Sequence, residues 1–173
     1  ILILREKGLA AAAKKSGRIA AEGIVFSIVD SDKKIGAVVE VNSETDFVAK
    51  NDTFVSFVKA VAQTIIDSNP ADVETLVDTK MHGSDLTVTQ NLQELVLKIG
   101  ENMKIRRFTR LEGILVPYVH GEGRIGVMVK LESNIDAANE KLLACGKDVA
   151  LQVAALNAPY LTKEDVPASI IEE

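Results

Sequence analysis

The chain repeats itself. From Glu22 it reads EGIVFSIVDSDKKIGAVVEVN, and ninety positions later, from Glu112, it reads EGILVPYVHGEGRIGVMVKLE, with no gap and seven of twenty-one positions identical. The identities include the opening Glu-Gly-Ile and the pairs Ile35-Gly36 and Ile125-Gly126, and six of the other fourteen positions exchange one apolar residue for another. Self-similarity at a fixed offset marks a duplicated unit. In each copy two β-rich runs flank a polar tip, Asp30 to Lys34 in one and His120 to Arg124 in the other, which is the pattern of a β-hairpin.

A helix is expected after each hairpin. Phe54, Val58, Val61 and Ile65 recur at helical spacing until Asn69-Pro70, and Leu142, Cys145, Val149 and Val153 do so until Asn157-Ala158-Pro159. Between the copies lies a polar connector of helices and loops, with Gly83-Ser84-Asp85 as its loop tip. The run NMKIRRFTRL then reads as a strand leading into the second hairpin. The order implies an α+β fold of two related subdomains, each a small antiparallel sheet backed by helices. The boundaries are residues 1–21 as a helix end and basic linker capped at Gly17, 22–111 as the first core subdomain, and 112–173 as the second, incomplete one. With its start in mid-element and its abrupt stop at SIIEE, the chain is expected to be a fragment.

At 173 residues and 47% hydrophobic, the chain is long enough for one generous core or two small ones. No apolar run approaches the roughly 20 residues a membrane span needs, and charge appears too early for a signal peptide. The expectation is a soluble, cytoplasmic protein. One cysteine and two histidines leave no internal disulfide and no zinc-ligand spacing, and no cofactor is expected. The first twenty residues carry Arg5, Lys7, Lys14, Lys15 and Arg18 against Glu6, so the remainder holds about nine net negative charges within an overall −5. An acidic body argues against nucleic acid as the main partner. Arg106 and Arg107, adjacent on a strand, should point to opposite faces and form no basic patch.

Chemistry is sparse. Gly121, Gly123 and Gly126 spell G-x-G-x-x-G, but a strand follows where a dinucleotide site needs a helix, so they read as hairpin-turn residues. Neither a Walker sequence nor the kinase H-R-D and D-F-G motifs occur, and an enzyme is not expected. Cys145 reads as a packing residue, His82 as a solvated loop residue, and His120 as a turn residue at a hairpin tip.

Phe47 raises the remaining question. It sits in NSETDFVAKND, among short polar side chains, where burial is the first expectation for a phenylalanine. Asn51 makes a good N-cap for the helix that carries Phe54, leaving Thr45 to Lys50 as a separate short turn. Thr45 can cap that turn, with Asp46 near its positive end, and a rigid turn can present a ring outward.

The segment VEVNSETDFVAKND closely resembles the signature of elongation factor Ts, the guanine-nucleotide exchange factor for the translational GTPase elongation factor Tu. LREKGLAAAAKKSGRIAAEG, KIGENMKIRRFTRLEG and ALQVAALNAPYLTKEDVPASIIEE are similar to further parts of that family's core, so the resemblance covers the whole chain. It implies that Thr45, Asp46, Phe47 and Val48 act on the partner's magnesium site, the ring entering a pocket beside a helix of the GTPase. It further implies that Ile99 and Gly100 contribute to the same contact and that His120 lies near the interface. The function implied is GDP release during translation elongation, without catalytic residues, metal or membrane. Where this chain has Ser43 the family often has Cys, a change expected to matter little. The family's N-terminal helical module and its dimerising helical hairpin are expected to be missing, giving a monomer of reduced affinity. A ribosome-associated RNA-binding module using Arg5 to Arg18 is the competing reading.

Overall fold

The computed structural model describes residue 10, residues 13–32 and residues 34–171. Two hairpins organise it. Strands β1 (Glu22–Asp30) and β2 (Ile35–Ser43) pair antiparallel from Glu22↔Ser43 to Asp30↔Ile35. Strands β4 (Ile114–His120) and β5 (Ile125–Leu131) pair from Ile114↔Leu131 to His120↔Ile125. Both lie where the repeat predicts them. Strand β3 (Met103–Glu112) adds to β2, giving a three-stranded sheet β1-β2-β3 beside the two-stranded β4-β5. The fold is α+β, as expected.

The glycine of Glu-Gly-Ile has the same backbone role in both copies, with φ of 134° at Gly23 and 127° at Gly113, a region open to glycine alone at little cost. The Ile-Gly pair has a packing role. A Cβ on Gly36 would lie 2.8 Å from Leu115 Cδ1 and 2.9 Å from Met128 Cε, and one on Gly126 would lie 2.3 Å from Val25 Cγ1 and 3.6 Å from Val38 Cγ1. Val25 and Val38 are the counterparts of Leu115 and Met128 at the ninety-residue offset. The two hairpins therefore pack on each other reciprocally, each glycine admitting the partner hairpin's side chains, as in a two-fold interface folded into one chain.

Helices cover the outer faces. Helix α2 (Asp52–Ser68) and helix α5 (Glu140–Leu156) follow the two hairpins, and a four-residue helix α1 (Asp46–Ala49) precedes α2. Each 17-residue helix starts at an asparagine N-cap, Asn51 or Asn139, and ends at a left-handed asparagine, Asn69 or Asn157. Alternation along β2 sends Ala37, Val39, Val41 and Ser43 to the α2 side, where with Phe54, Val58, Val61 and Ile65 they are fully buried. Helices α3 (Val73–Asp78) and α4 (Val88–Ile99), joined through the Gly83 turn, complete this main core with Leu76, Val88, Leu95 and Val96. A last turn of helix, α6, spans Ala168–Ile171.

Three expectations are corrected. Cys145 lies on α5 but is exposed, because the helix turns Gly146 and Ala150 inward. A Cβ on Gly146 would meet Val116 Cγ2 at 2.6 Å, so this glycine sets the close approach of α5 to β4-β5 and thereby the face it buries. Arg106 and Arg107 do not diverge. The register shifts between Glu40 and Val41, pairing Arg107 with Glu40 and Ile105 with Val41, so Arg106 is the extra residue of a β-bulge. Both guanidiniums reach one carboxylate, Arg106 Nε at 3.6 Å and Arg107 Nε at 2.7 Å from Glu40. His82, finally, is exposed but not merely solvated, since its Nδ1 lies 2.9 Å from Asp67 Oδ2 and its backbone N–H donates to Thr64 Oγ1.

Candidate functional site

The α1 turn is built from the end of β2 outward. Thr45 is its N-cap, extended at φ −125° and ψ 156°, and its hydroxyl accepts from the Val48 N–H at 3.4 Å. Two residues after α1 ends, Asn51 caps α2 by accepting from the N–H groups of Thr53 and Phe54. Two caps in such short succession hold the chain between them in a defined path. Val48 and Ala49 turn inward to the core, which forces Asp46 and Phe47 outward. The Phe47 ring is 83% exposed, whereas Phe54 and Phe57 are buried and Phe26 and Phe108 pack against the same core. The burial expected of a phenylalanine in isolation does not hold here.

The turn is fastened on both sides. The Ser43 hydroxyl, fully buried, donates to the Thr45 carbonyl at 3.0 Å. Ser43 is thus more than a small filler. The Glu101 carboxylate accepts from the Thr45 N–H at 3.0 Å and from the Thr45 hydroxyl at 2.7 Å. In return Glu44 accepts from the Asn102 N–H at 2.5 Å and pairs with Arg18 at 3.5 Å. These bonds bring Ile99 and Gly100 alongside the Phe47 turn. Gly100 is the left-handed cap that ends α4, its carbonyl accepts from Lys15 Nζ, and Ile99 is half-buried against the core.

His120 arrives from the second hairpin. It is exposed, with its Nδ1 2.9 Å from the Tyr118 hydroxyl. The tip that follows, Gly121–Gly123, is a single 3₁₀ turn leading into β5, so these glycines shape a hairpin rather than a dinucleotide loop. Gly123 sits against Ile24, and Glu122 approaches Lys50 at 3.9 Å, which puts the His120 tip beside the end of α1. Six of the seven residues named from the sequence thus lie along one stretch of surface around the Phe47 turn, and the seventh, Val48, is buried beneath it. Sequence reasoning missed the residues that join them, Glu101, Glu44, Lys50 and Glu122, because their partners are distant in the chain. Of the N-terminal basic segment, Arg5 and Lys7 lie outside the described residues, while Lys15 and Arg18 are engaged with Gly100 and Glu44.

Among the described residues, no group of three His, Cys, Asp or Glu side chains could hold a metal ion, and no helix is long and apolar enough to cross a membrane. A shallow opening of about 380 Å³ lies between α2 and α4, lined by Phe57, Met81, Leu95 and Lys98 among others.

The family model described as elongation factor TS matches residues 44–173, most of the chain and all of the site. The chain belongs to the elongation factor Ts family. It is 49% identical over 174 residues to an elongation factor Ts of Clostridium perfringens, covering 99% of this chain and 56% of that protein. It is 50% identical over 177 residues to one of Clostridium kluyveri, covering 100% of this chain and 57% of the relative. A third, from Clostridium botulinum, is 44% identical over 174 residues. The chain thus spans a little over half the length of these elongation factor Ts relatives, and the relatives, unlike the family model, also cover the first hairpin.

Proposed function

We propose that this chain is the exchange-promoting core of a translation elongation factor, binding the GTPase elongation factor Tu in its GDP form and accelerating GDP release. The observation that carries the reading is the exposed Phe47 ring on a turn capped at Thr45 and again at Asn51. An apolar ring held outward at 83% exposure contributes little to the fold and is poised for a partner's pocket. In this reading Phe47 enters beside a helix of the GTPase, with Asp46, the half-buried Thr45 and the buried Val48 behind it. Ile99, Gly100 and His120 make flanking contacts. The first subdomain, residues 22–111, would carry the wedge, and the second, 112–173, the His120 contact.

The chemistry asks nothing catalytic of this chain. GDP is held on such a GTPase by backbone donors, a lysine and a Mg²⁺ bridging its phosphates, so disturbing the metal's surroundings removes a large share of that affinity. The coupling is reciprocal: a factor that weakens GDP binding is itself weakened by GDP to the same free-energy extent. The competing RNA-binding reading loses support from the engagement of Lys15 and Arg18 within the fold and of Arg106 and Arg107 with Glu40.

The test is to mix the chain with elongation factor Tu loaded with fluorescent GDP and follow nucleotide release. Release that accelerates with chain concentration supports the proposal. A rate equal to the spontaneous one at saturating chain would sink it.

A further inference from the structure

The bond pattern around Thr45 points beyond the wedge to the residue that aims it. We infer that Glu101 is a positioning residue for Phe47, clamping the turn so that the ring and the Ile99-Gly100 corner are presented as one rigid surface. The inference rests on the reading of Phe47 as a partner contact.

Four observations carry it. First, α1 is only four residues long and its internal bonds are long, 3.4 Å for Ala49 N–H to the Thr45 carbonyl and 3.3 Å for Lys50 N–H to the Asp46 carbonyl. A single turn of helix is not stable on its own, since nucleation fixes several dihedrals for one bond. Second, both oxygens of Glu101 are spent on Thr45, one on its N–H and one on its hydroxyl, and the hydroxyl so held points its lone pair at the Val48 N–H. Charge-assisted bonds of this kind are about twice as strong as neutral ones. Third, the clamp is reciprocal: Glu44 holds the Asn102 N–H while Glu101 holds Thr45, so two neighbouring residues on each segment cross-link the segments. Fourth, Glu101 directly follows Gly100, the left-handed end of α4, so any loosening of Glu101 is transmitted to both surfaces at once. The ring's direction is set two residues upstream, at Thr45.

The experiment uses Glu101→Ala and Glu101→Gln in the full chain, read two ways. Amide hydrogen exchange in the free protein reports the clamp directly: Glu101→Ala should speed exchange of the Thr45 amide by about tenfold or more, the loss of one charge-assisted bond. Glu101→Gln, whose carbonyl still accepts from that N–H, should stay within about threefold of the parent, a conservative rescue that mere loss of fold would not give. Unchanged Thr45 exchange in Glu101→Ala overturns the clamp, whatever happens with the GTPase. The second readout is a double-mutant cycle on stimulated GDP release with Phe47→Ala. If Glu101 acts through the ring, Glu101→Ala slows release severalfold in the parent but hardly at all once Phe47 is gone. Additive losses would mean that Glu101 acts independently of Phe47 and would overturn the inference. Should neither parent nor Phe47→Ala stimulate release, the wedge reading fails, while the amide data still decide whether Glu101 holds the turn. If Glu101→Ala proves unfolded, Glu101→Asp, whose carboxylate sits one methylene short of Thr45, takes its place in both readouts: faster Thr45 exchange and a non-additive cycle support the clamp, and unchanged exchange or additive losses overturn it.

Discussion

At the scale of single residues, the five phenylalanines divide by what surrounds them. Phe54 has no exposed surface, Phe57, Phe26 and Phe108 join the same core, and Phe47 stands in solvent. Phe47→Ala should therefore leave the melting temperature nearly unchanged and slow stimulated GDP release by about tenfold or more, since an interface aromatic commonly accounts for ~2 kcal/mol. Phe54→Ala, by contrast, should cost about 3 to 5 kcal/mol of stability in urea denaturation. A Phe47→Ala protein that melts normally yet drives release at the parent rate would refute the wedge. Asp46→Ala should give a smaller loss, one that varies with Mg²⁺ concentration, because a carboxylate acts there by charge rather than hydrophobic contact. Cys145 is the opposite lesson. Its place on an apolar stripe suggested burial, but it faces out, so Cys145→Ala should change stability by no more than about 0.5 kcal/mol in chemical denaturation.

At the scale of elements, the caps were legible and the buried faces only partly so. Asn51, Thr45 and Asn69 do what their side chains and local positions suggest, because an N-cap needs partners only two or three residues away. The stripe of α2 was likewise readable, since large apolar residues recur without interruption and all four turn inward. On α5 the stripe misled, because the inward positions are Gly146 and Ala150, whose smallness lets the helix approach the sheet but leaves no hydrophobic signal in the sequence. Helix α3 supplies a pH prediction. Its N-cap, Asp72, accepts from the Thr75 N–H at 2.7 Å, and that backbone bond is the largest cause holding its carboxyl below the ordinary 3.8. A depressed folded-state value means a contribution fully present above pH 3.8 and lost as pH falls through the lower folded-state value. Asp72→Asn keeps a capping oxygen without the charge, so its urea midpoint should fall less steeply than the parent's in that acid window while staying close to it at neutral pH. Parallel acid slopes in the two proteins would show that Asp72 contributes nothing to the dependence.

At the scale of the whole molecule, the reciprocal fit of the two hairpins is the feature on which the site depends, because it brings the His120 tip to the Phe47 turn. Gly126→Ala should cost about 1 to 3 kcal/mol by driving a methyl into Val25, as overpacking of a tight interface commonly does. Val25→Ala in the same protein should return part of that cost, and a double-mutant cycle in urea with no coupling between the two would refute the reciprocal packing. The sequence by itself determined both hairpins, both capped helices, the turn at Phe47 and the family, because period, turn chemistry and capping act over a few residues and the repeat states the architecture twice. Only the tertiary structure decided where β3 pairs, that its bulge turns Arg106 and Arg107 onto one Glu40, which side of α5 is buried, and that Glu101 grips Thr45 across 56 positions. Such pairings leave no local trace: a glutamate reads the same in a chain whether its carboxylate meets water or a distant backbone N–H, and only the packed hairpins and helices bring that partner within reach.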